Sequence, residues 1–533
     1  MALGDLMKWI VIGHDKGRVK LVSAGENQGL LPKGSFLTIE SDDAKCILRV
    51  DNSDQDFPYA PAPMIVDMGL NPLKQDQKCQ NTISAYVVKD LHQRTDGLIN
   101  YIKPLMTARR SNQAEIDLAF DVTSTRPSEP SGPKVFVAAV HGIENQILSD
   151  ETGQFLTANL PNDMFFHQMM VCGKTGSGKT VCSKYLAQYF VEELNGAVLA
   201  INVKDVDFLR MDKPSDETTP EIRKEWESIG GRAHGIDNFI AYYPANSRRS
   251  EIKGLNPKNY QKISLNVKTI DPTALIGIIQ GISDVGARFL PDIFRFWQEE
   301  VAPANEKKNP GSFTFSNFVH HFRQSMEDRI YQTKNTRGQL DVTPLHSSTA
   351  QNILGNLTRA IVFFDDPSAK YLTENEILVP GLMTVIDLED EAAKNFGAIL
   401  LRHLLHKIVE KKSSNQSNVP VLIIIDEVHQ FYNTQSSKEA LGDLDTICRQ
   451  GRSQKIGVIF SSQTPQDIHG GLSNVINTKI FFKSETSSAK LHGISITEHE
   501  MEALKRGFAV GSIYGLPQLK IMKFPLSFSG VVR

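Results

Sequence analysis

From Lys8 to about Gly142 the apolar positions fall in short runs rich in β-branched residues: WIVIG, VKLVSA, FLTIE, CILRV, ISAYVV, IDLAF and KVFVAAV. Turn chemistry separates them. Asp15-Lys16-Gly17, Pro32-Lys33-Gly34 and the proline-rich FPYAPAP supply the positive or fixed φ angles that reverse a chain. The pattern predicts a small antiparallel barrel or sandwich over residues 1–145, and with no convergent polar cluster in it the expected role is an adaptor that holds subunits together. Beyond about residue 145 the texture changes to apolar strands alternating with longer helical patterns, the signature of a parallel α/β sheet. FFHQMMVCG, AVLAINV, LMTVIDL, VLIIID and IGVIFSS are the candidate strands. Well over a hundred residues separate AVLAINV from LMTVIDL, and they include the helical stretches PTALIGIIQGI, PDIFRFWQEEV, FSNFVHHFRQSM and AQNILGNLTRAIVFF. That is too long for a plain crossover, so a helical subdomain is expected at approximately 206–378, inside an α/β domain spanning 146–505.

Composition narrows the picture in two ways. A chain of 533 residues exceeds what one core organises, so two or more domains are expected. With 40% hydrophobic and 22% charged residues and a formal charge of -3, the chain is soluble in type and not basic on average. Any grip on nucleic acid must then come from lysines and arginines gathered in one place, such as the lumen of a ring. The cysteines Cys46, Cys79, Cys172, Cys182 and Cys448 show no paired spacing for zinc or for a redox dithiol, which fits free thiols in a reducing cytoplasm. No stretch approaches the roughly 18 apolar residues of a membrane span, so no membrane partner is expected.

The chemistry concentrates in three places. Gly173-Lys174-Thr175-Gly176-Ser177-Gly178-Lys179-Thr180 is a complete G-x-x-x-x-G-K-[ST] between an apolar strand and the helical VCSKYLAQYFVEEL. Glycines let successive amides curl around phosphates, the helix start adds its positive dipole, Lys179 reaches the outer phosphates and Thr180 ligates Mg²⁺, with Val181 continuing the nucleotide contact. The buried strand Val421–Ile425 runs into Asp426 and Glu427, two carboxylates at the edge of a sheet where ligands bind. Asp426 suits the Mg²⁺ and Glu427 suits activation of the attacking water. A third strand, Ile456–Ser462, ends in Gln463, an amide placed to sense the γ-phosphate and pass the signal to Thr464-Pro465-Gln466-Asp467. Arg449, Arg452 and Lys455 just before that strand, and Arg359 elsewhere, are candidates for an arginine finger reaching a neighbouring subunit. His403, His406 and His429 lack a carboxylate or cysteine at ligand spacing, so no zinc is expected.

Taken together these segments resemble the HerA family of the HerA–FtsK ATPases. The resemblance rests on His167 ahead of VCGKTGSGKT, the IIIDEVH strand, the GRSQKIGVIFSSQTPQDI segment and the closing LKRGFAVGSIYGLPQLKIMKFP. It implies an N-terminal HAS-barrel-like domain, a RecA-like P-loop ATPase domain of the ASCE type with a helical insertion, and a C-terminal strand pair and tail over 506–533. It further implies ATP and Mg²⁺ as cofactors, Lys179, Glu427 and Gln463 as catalytic groups, Thr180 and Asp426 on the metal, and Arg452 as the finger acting in trans. Family members form hexamers that pump double-stranded DNA, often beside a nuclease, so the expected function is a cytoplasmic, homohexameric, ATP-dependent DNA translocase or helicase. It would work with a nuclease or other effector in DNA processing or antiviral defence. Where the family has an Asp-Pro-x-Gly-Glu-like turn after the second strand, this chain reads Asn202-Val203-Lys204-Asp205-Val206-Asp207. Two other readings compete: a motor for secretion or conjugation, and an ATP-dependent scaffold that activates a partner effector.

Overall fold

The computed structural model describes residues 9–23, 31–42, 44–56, 80–92, 101–120, 130–142, 144–204, 207–216, 219–247, 256–278, 284–335, 337–389, 391–428, 444, 447, 449–468, 475–491 and 493–531. Cys79, Cys448, His429, Asp205, Val206 and the FPYAPAP stretch therefore lie outside the described residues.

The N-terminal runs form a closed barrel of six strands, β1 (Trp9–Asp15), β2 (Arg18–Ser23), β3 (Phe36–Glu40), β4 (Lys45–Asp56), β5 (Gln80–Asp90) and β6 (Thr107–Arg110). Their order around the barrel is β1-β2-β5-β4-β3-β6, and β1 closes it by pairing Trp9 with Ala108 of β6. Period-two alternation fills the interior. Val19 and Leu21 of β2 are buried while Arg18 and Lys20 beside them are not, and Trp9, Val11, Leu37, Leu48 and Ile83 complete one core. Closure leaves no unpaired edge to template aggregation. IDLAF, expected as a strand, is instead the end of an α-helix, Gln113–Phe120. The reason is a reciprocal cap at its start: Glu115 N donates to Asn112 Oδ1 at 3.0 Å and Asn112 N donates to Glu115 Oε2 at 2.9 Å.

The second sheet starts with β7 (Lys134–His141), β8 (Glu144–Ile147), β9 (Thr157–Asn159), β10 (Met169–Cys172), β11 (Ala197–Asn202), β12 (Phe239–Pro244) and β13 (Tyr260–Ser264). After the separate hairpin of β14 (Tyr331–Lys334) and β15 (Leu340–Thr343) it continues with β16 (Lys370–Tyr371), β17 (Met383–Asp387), β18 (Val421–Asp426), β19 (Ile456–Ser462), β20 (Thr478–Phe481), β21 (Phe508–Ser512) and β22 (Ile521–Lys523). The order is β16-β13-β12-β17-β11-β18-β19-β10-β20-β21-β22-β7-β8, with β9 beside β7. From β16 to β20 every pairing is parallel, and from β20 to β8 every pairing is antiparallel. All five strands expected from the apolar runs are present.

Central strands are buried on both faces, which is why they read as unbroken apolar runs. In β18, Val421, Ile423 and Ile425 pack into one core and Leu422 and Ile424 into the other. The helix Lys179–Glu192 covers the second face through Cys182, Leu186 and Phe190. The helices Asp284–Phe296, Phe315–Asp328, Ser347–Ala360 and Glu391–Ser413 cover the first through Leu290, Phe318, Ile353 and Leu401. Residues 206–378 supply helices and also lend the sheet β12, β13 and β16. Barrel and sheet are tied by polar contacts: Val140 N donates to the Lys33 carbonyl at 3.0 Å, and Arg49 Nη1 donates to the Gln518 carbonyl at 2.7 Å. Among the described residues no helix is long and apolar enough to cross a membrane.

Candidate nucleotide site

Register brings the three predicted segments together. β19 lies between β10 and β18, pairing Ser462 with Cys172 on one side and Ser461 with Asp426 on the other. Three chains therefore leave the same sheet edge side by side, through Gly173, Gln463 and Glu427. Ligands of open parallel sheets bind at this carboxyl edge.

The glycine loop is shaped by close packing. A Cβ on Gly173 would stand 2.8 Å from Phe482 Cβ, and Gly178 has φ 117°, a left-handed conformation that L side chains rarely adopt. Two backbone bonds pin the loop from outside: Lys174 N donates to the Lys483 carbonyl at 2.7 Å, and Gly507 N donates to the Ser177 carbonyl at 3.1 Å. Lys174, Thr175 and Gly176 stay exposed, and Thr180 and Val181 are half-buried in the first turn of the helix. Lys179 is buried, with Nζ donating to the Gly173 carbonyl at 2.6 Å. Burial pushes its ammonium below the ordinary lysine range, Glu427 pulls it back up, and Lys204 lowers it again.

At the end of β18 and just past it, Asp426 and Glu427 are 2% and 0% exposed. Burial raises the Asp426 carboxyl, opposed by Ser461 and Lys204. Its Oδ1 is buried without a hydrogen-bond partner, as is the hydroxyl of Ser177 in the loop. Orphaned buried polar atoms are costly unless a ligand answers them. The donor set fits Mg²⁺, which takes one or two protein oxygens and completes its shell with water and phosphate; Asp426 and Thr180 would supply such oxygens here. Among the described residues there is no group of three or more histidine, cysteine or carboxylate side chains that could hold a metal by themselves. Glu427 has φ 48° and forms an ion pair with Lys204 Nζ. Burial lowers the Lys204 ammonium, but Glu427 and Asp426 outweigh it and hold it above its usual value. Gln463 is exposed at the tip of β19, and its turn is anchored from below by Asp467, which accepts from Ser462 Oγ and, at 3.4 Å, from Thr464 N.

Arg452 does not join this group. It is exposed at the start of the turn that leads into β19, where Lys455 N donates to its carbonyl at 3.2 Å. The seven residues of β19 separate the two edges by about 23 Å. Its neighbour is His167, whose imidazole is pushed down by burial and then by the Arg452 charge, and which stacks on Tyr514 with centroids 3.4 Å apart. Of the other histidines, His403 is pushed down to about 4 by burial and accepts from Asp271 N at 3.1 Å, while His406 Nε2 lies 3.3 Å from Asp271 Oδ2.

Two residues of this region carry roles that the sequence does not announce. Lys204 has no motif; its only signal is a lone cation just past a buried strand beside the acidic one. Gln168, fully buried with φ 55°, accepts from Val458 N at 2.7 Å and donates to the Ile447 and Ile456 carbonyls at 3.3 and 3.4 Å, fastening β10 to the turn that carries Arg452. Gln168→Ala leaves those groups unanswered and should lower stability by about 1–3 kcal/mol in urea denaturation. A cleft of about 910 Å³ opens at the far end of the helix Lys179–Glu192, between Tyr189, Glu192, Arg232 and Phe528. Its His234–Glu192 pair, 3.0 Å apart, is already satisfied, and it lies away from the phosphate loop.

A parallel sheet with a phosphate loop on one strand, two acids on another and a polar-tipped strand between them defines a RecA-like P-loop ATPase fold. Residues 152–404 match the family described as Helicase HerA, central domain. Over 308 residues the chain is 22% identical to the DNA double-strand break repair helicase HerA of Sulfurisphaera tokodaii, covering 55% of this chain and 60% of that protein. It is 21% identical over 291 residues to the protein of the same description from Pyrococcus furiosus, covering 48% of this chain and 52% of that one. The chain thus matches little more than half the length of these relatives. Among solved structures, the plasmid coupling protein TrwB with a non-hydrolysable ATP analogue aligns at a TM-score of 0.45 and 14% identity, over 69% of this chain and 87% of that one. VirB4 of Thermoanaerobacter pseudethanolicus aligns at 0.44 and 13%, over 76% and 98%. The chain is thus similar to the HerA family over residues 152–404.

Proposed function

We propose that this protein is the ATP-hydrolysing subunit of a homohexameric motor that moves along double-stranded DNA in the cytoplasm and works with a nuclease or another effector protein. The observation that carries the reading is the split between the two sheet edges: loop, acids and Gln463 lie at one, and Arg452 at the other. A site built this way is completed by a neighbouring copy, whose Arg452 faces the phosphates when subunits pack head to tail in a ring. The names of the relatives, DNA repair helicases, support DNA as the track.

Within one site the residues divide the work. Gly173 to Val181 cradle the nucleotide with backbone amides, Lys179 neutralises the outer phosphates, and Thr180 with Asp426 holds the metal. When bound, Mg²⁺ would supply charge neutralisation to the phosphates. Glu427 orients water and takes its proton; Gln463 reads the γ-phosphate and relays its loss through the Thr464–Asp467 turn.

The test is ATP hydrolysis by the purified protein with and without duplex DNA, together with its mass in the presence of an ATP analogue. A ring whose hydrolysis is stimulated by duplex is expected, with duplex affinity falling steeply with salt as phosphate contacts release counterions. A protein that stays monomeric with nucleotide, or a ring that is indifferent to duplex, sinks the motor reading.

A further inference from the structure

Four charged side chains converge at the nucleotide edge, and the two lysines among them are engaged differently. Lys179 donates to carbonyls of its own loop, Gly173 at 2.6 Å and Lys174 at 3.5 Å, whereas Lys204 is the cation paired with Glu427 Oε1. Lys204 reaches it from just beyond β11, whose Ile201 pairs with Ile425 of β18. The partners differ in freedom. Glu427 is fully buried on a left-handed backbone, while the Lys204 side chain is 36% exposed on a long flexible stem. An ammonium on Oε1 takes up one of the positions at which this carboxylate could accept from water and holds the group turned toward Lys204. Yet a carboxylate buried this deeply needs a counter-ion while no substrate is bound.

We propose that Lys204 is a gating residue. It neutralises Glu427 in the resting subunit and gives the carboxylate up before hydrolysis. The inference rests on Glu427 being the base. Nucleotide phosphates carry more negative charge than one Mg²⁺ neutralises, so ATP draws the mobile ammonium off Glu427 and frees its oxygen. Water then forms the new bond to the γ-phosphorus and passes its proton to Glu427, as the bond to the β-phosphate oxygen breaks to release ADP and phosphate. Departure of the products returns Lys204 to the carboxylate. The gate is a positioning device, since Lys204 acts through Glu427.

The experiment compares Lys204→Met, Lys204→Gln, Lys204→Arg, Glu427→Gln and the unaltered protein in steady-state and single-turnover hydrolysis of Mg-ATP without DNA. Removal of the restraint should raise the hydrolysis rate about five- to tenfold, an ordinary size for a coupling between a site and its restraint. KM should stay within about twofold, and Lys204→Arg should restore the lower rate. A merely structural lysine would give no such split and no acceleration. The pair itself is read without ATP by melting: Lys204→Met should lower the melting temperature when Glu427 is present and leave it unchanged in the Glu427→Gln background. Lys204 variants that hydrolyse no faster than the unaltered protein, beside an inactive Glu427→Gln, overturn the gate alone. A Glu427→Gln protein at full rate overturns the base assignment and the gate with it.

Discussion

Glu427→Gln will bind Mg-ATP and hold it, with turnover lower by about two to four orders of magnitude, the range expected when a general base is lost. The substitution keeps the shape of a side chain that is 0% exposed and removes only its ability to take a proton. Lys179→Ala will fail earlier. It deletes the ammonium proposed to neutralise the outer phosphates and leaves a gap behind the loop, so nucleotide binding and hydrolysis should fall together. The two variants are separated by isotherms with a fluorescent ATP analogue: saturable binding for Glu427→Gln and weak or no binding for Lys179→Ala. Near-normal steady-state turnover by Glu427→Gln would remove it from the chemistry and leave Asp426 as the acid of interest.

Arg452→Ala will abolish hydrolysis as thoroughly as a loop mutant, by about a thousandfold or more if it stabilises the transferred phosphoryl group in trans. Because Arg452 lies at the opposite sheet edge from the loop of its own chain, the defect should be curable by a partner. Arg452→Ala subunits keep an intact loop and Lys179→Ala subunits keep an intact finger. In an equal mixture roughly a quarter of head-to-tail interfaces unite one of each in the working orientation. Recovery of ATPase activity in the mixture, with neither parent active, is the expected result. Mixed rings as dead as their parents, once subunit exchange has been verified by mass, would return Arg452 to the role of His167's neighbour.

These expectations follow from segments that could be read directly from the chain. The loop was legible because only glycine tolerates the φ of Gly178 and the contact at Gly173, so its spacing is imposed by geometry. The acids were legible because carboxylates at the end of a run as apolar as Val421–Ile425 are expensive unless used. Closure of the barrel was harder to see, since β6 is four residues of Thr-Ala-Arg-Arg with no apolar run. The strands β13 and β16, Tyr-Gln-Lys-Ile-Ser and Lys-Tyr, hid for a similar reason, since neither holds an apolar run, and β12, Phe-Ile-Ala-Tyr-Tyr-Pro, is a short run closed by proline. The helix Gln113–Phe120 was misread because the capping pair Asn112 and Glu115 outweighs the β-like look of IDLAF. Lys204 and Gln168 were invisible as partners because each acts on a residue far away in sequence.

The path from β10 through β20, β21 and β22 to β7 has a mechanical meaning. Four successive ladders join the strand that launches the phosphate loop to the strand that carries Val140, and Val140 N holds the barrel by the Lys33 carbonyl. Gly507, at the entrance to β21, is bonded to the loop itself. Barrel and loop are two ends of one girder, so a load applied to the barrel is carried through hydrogen-bonded backbone to the phosphate loop.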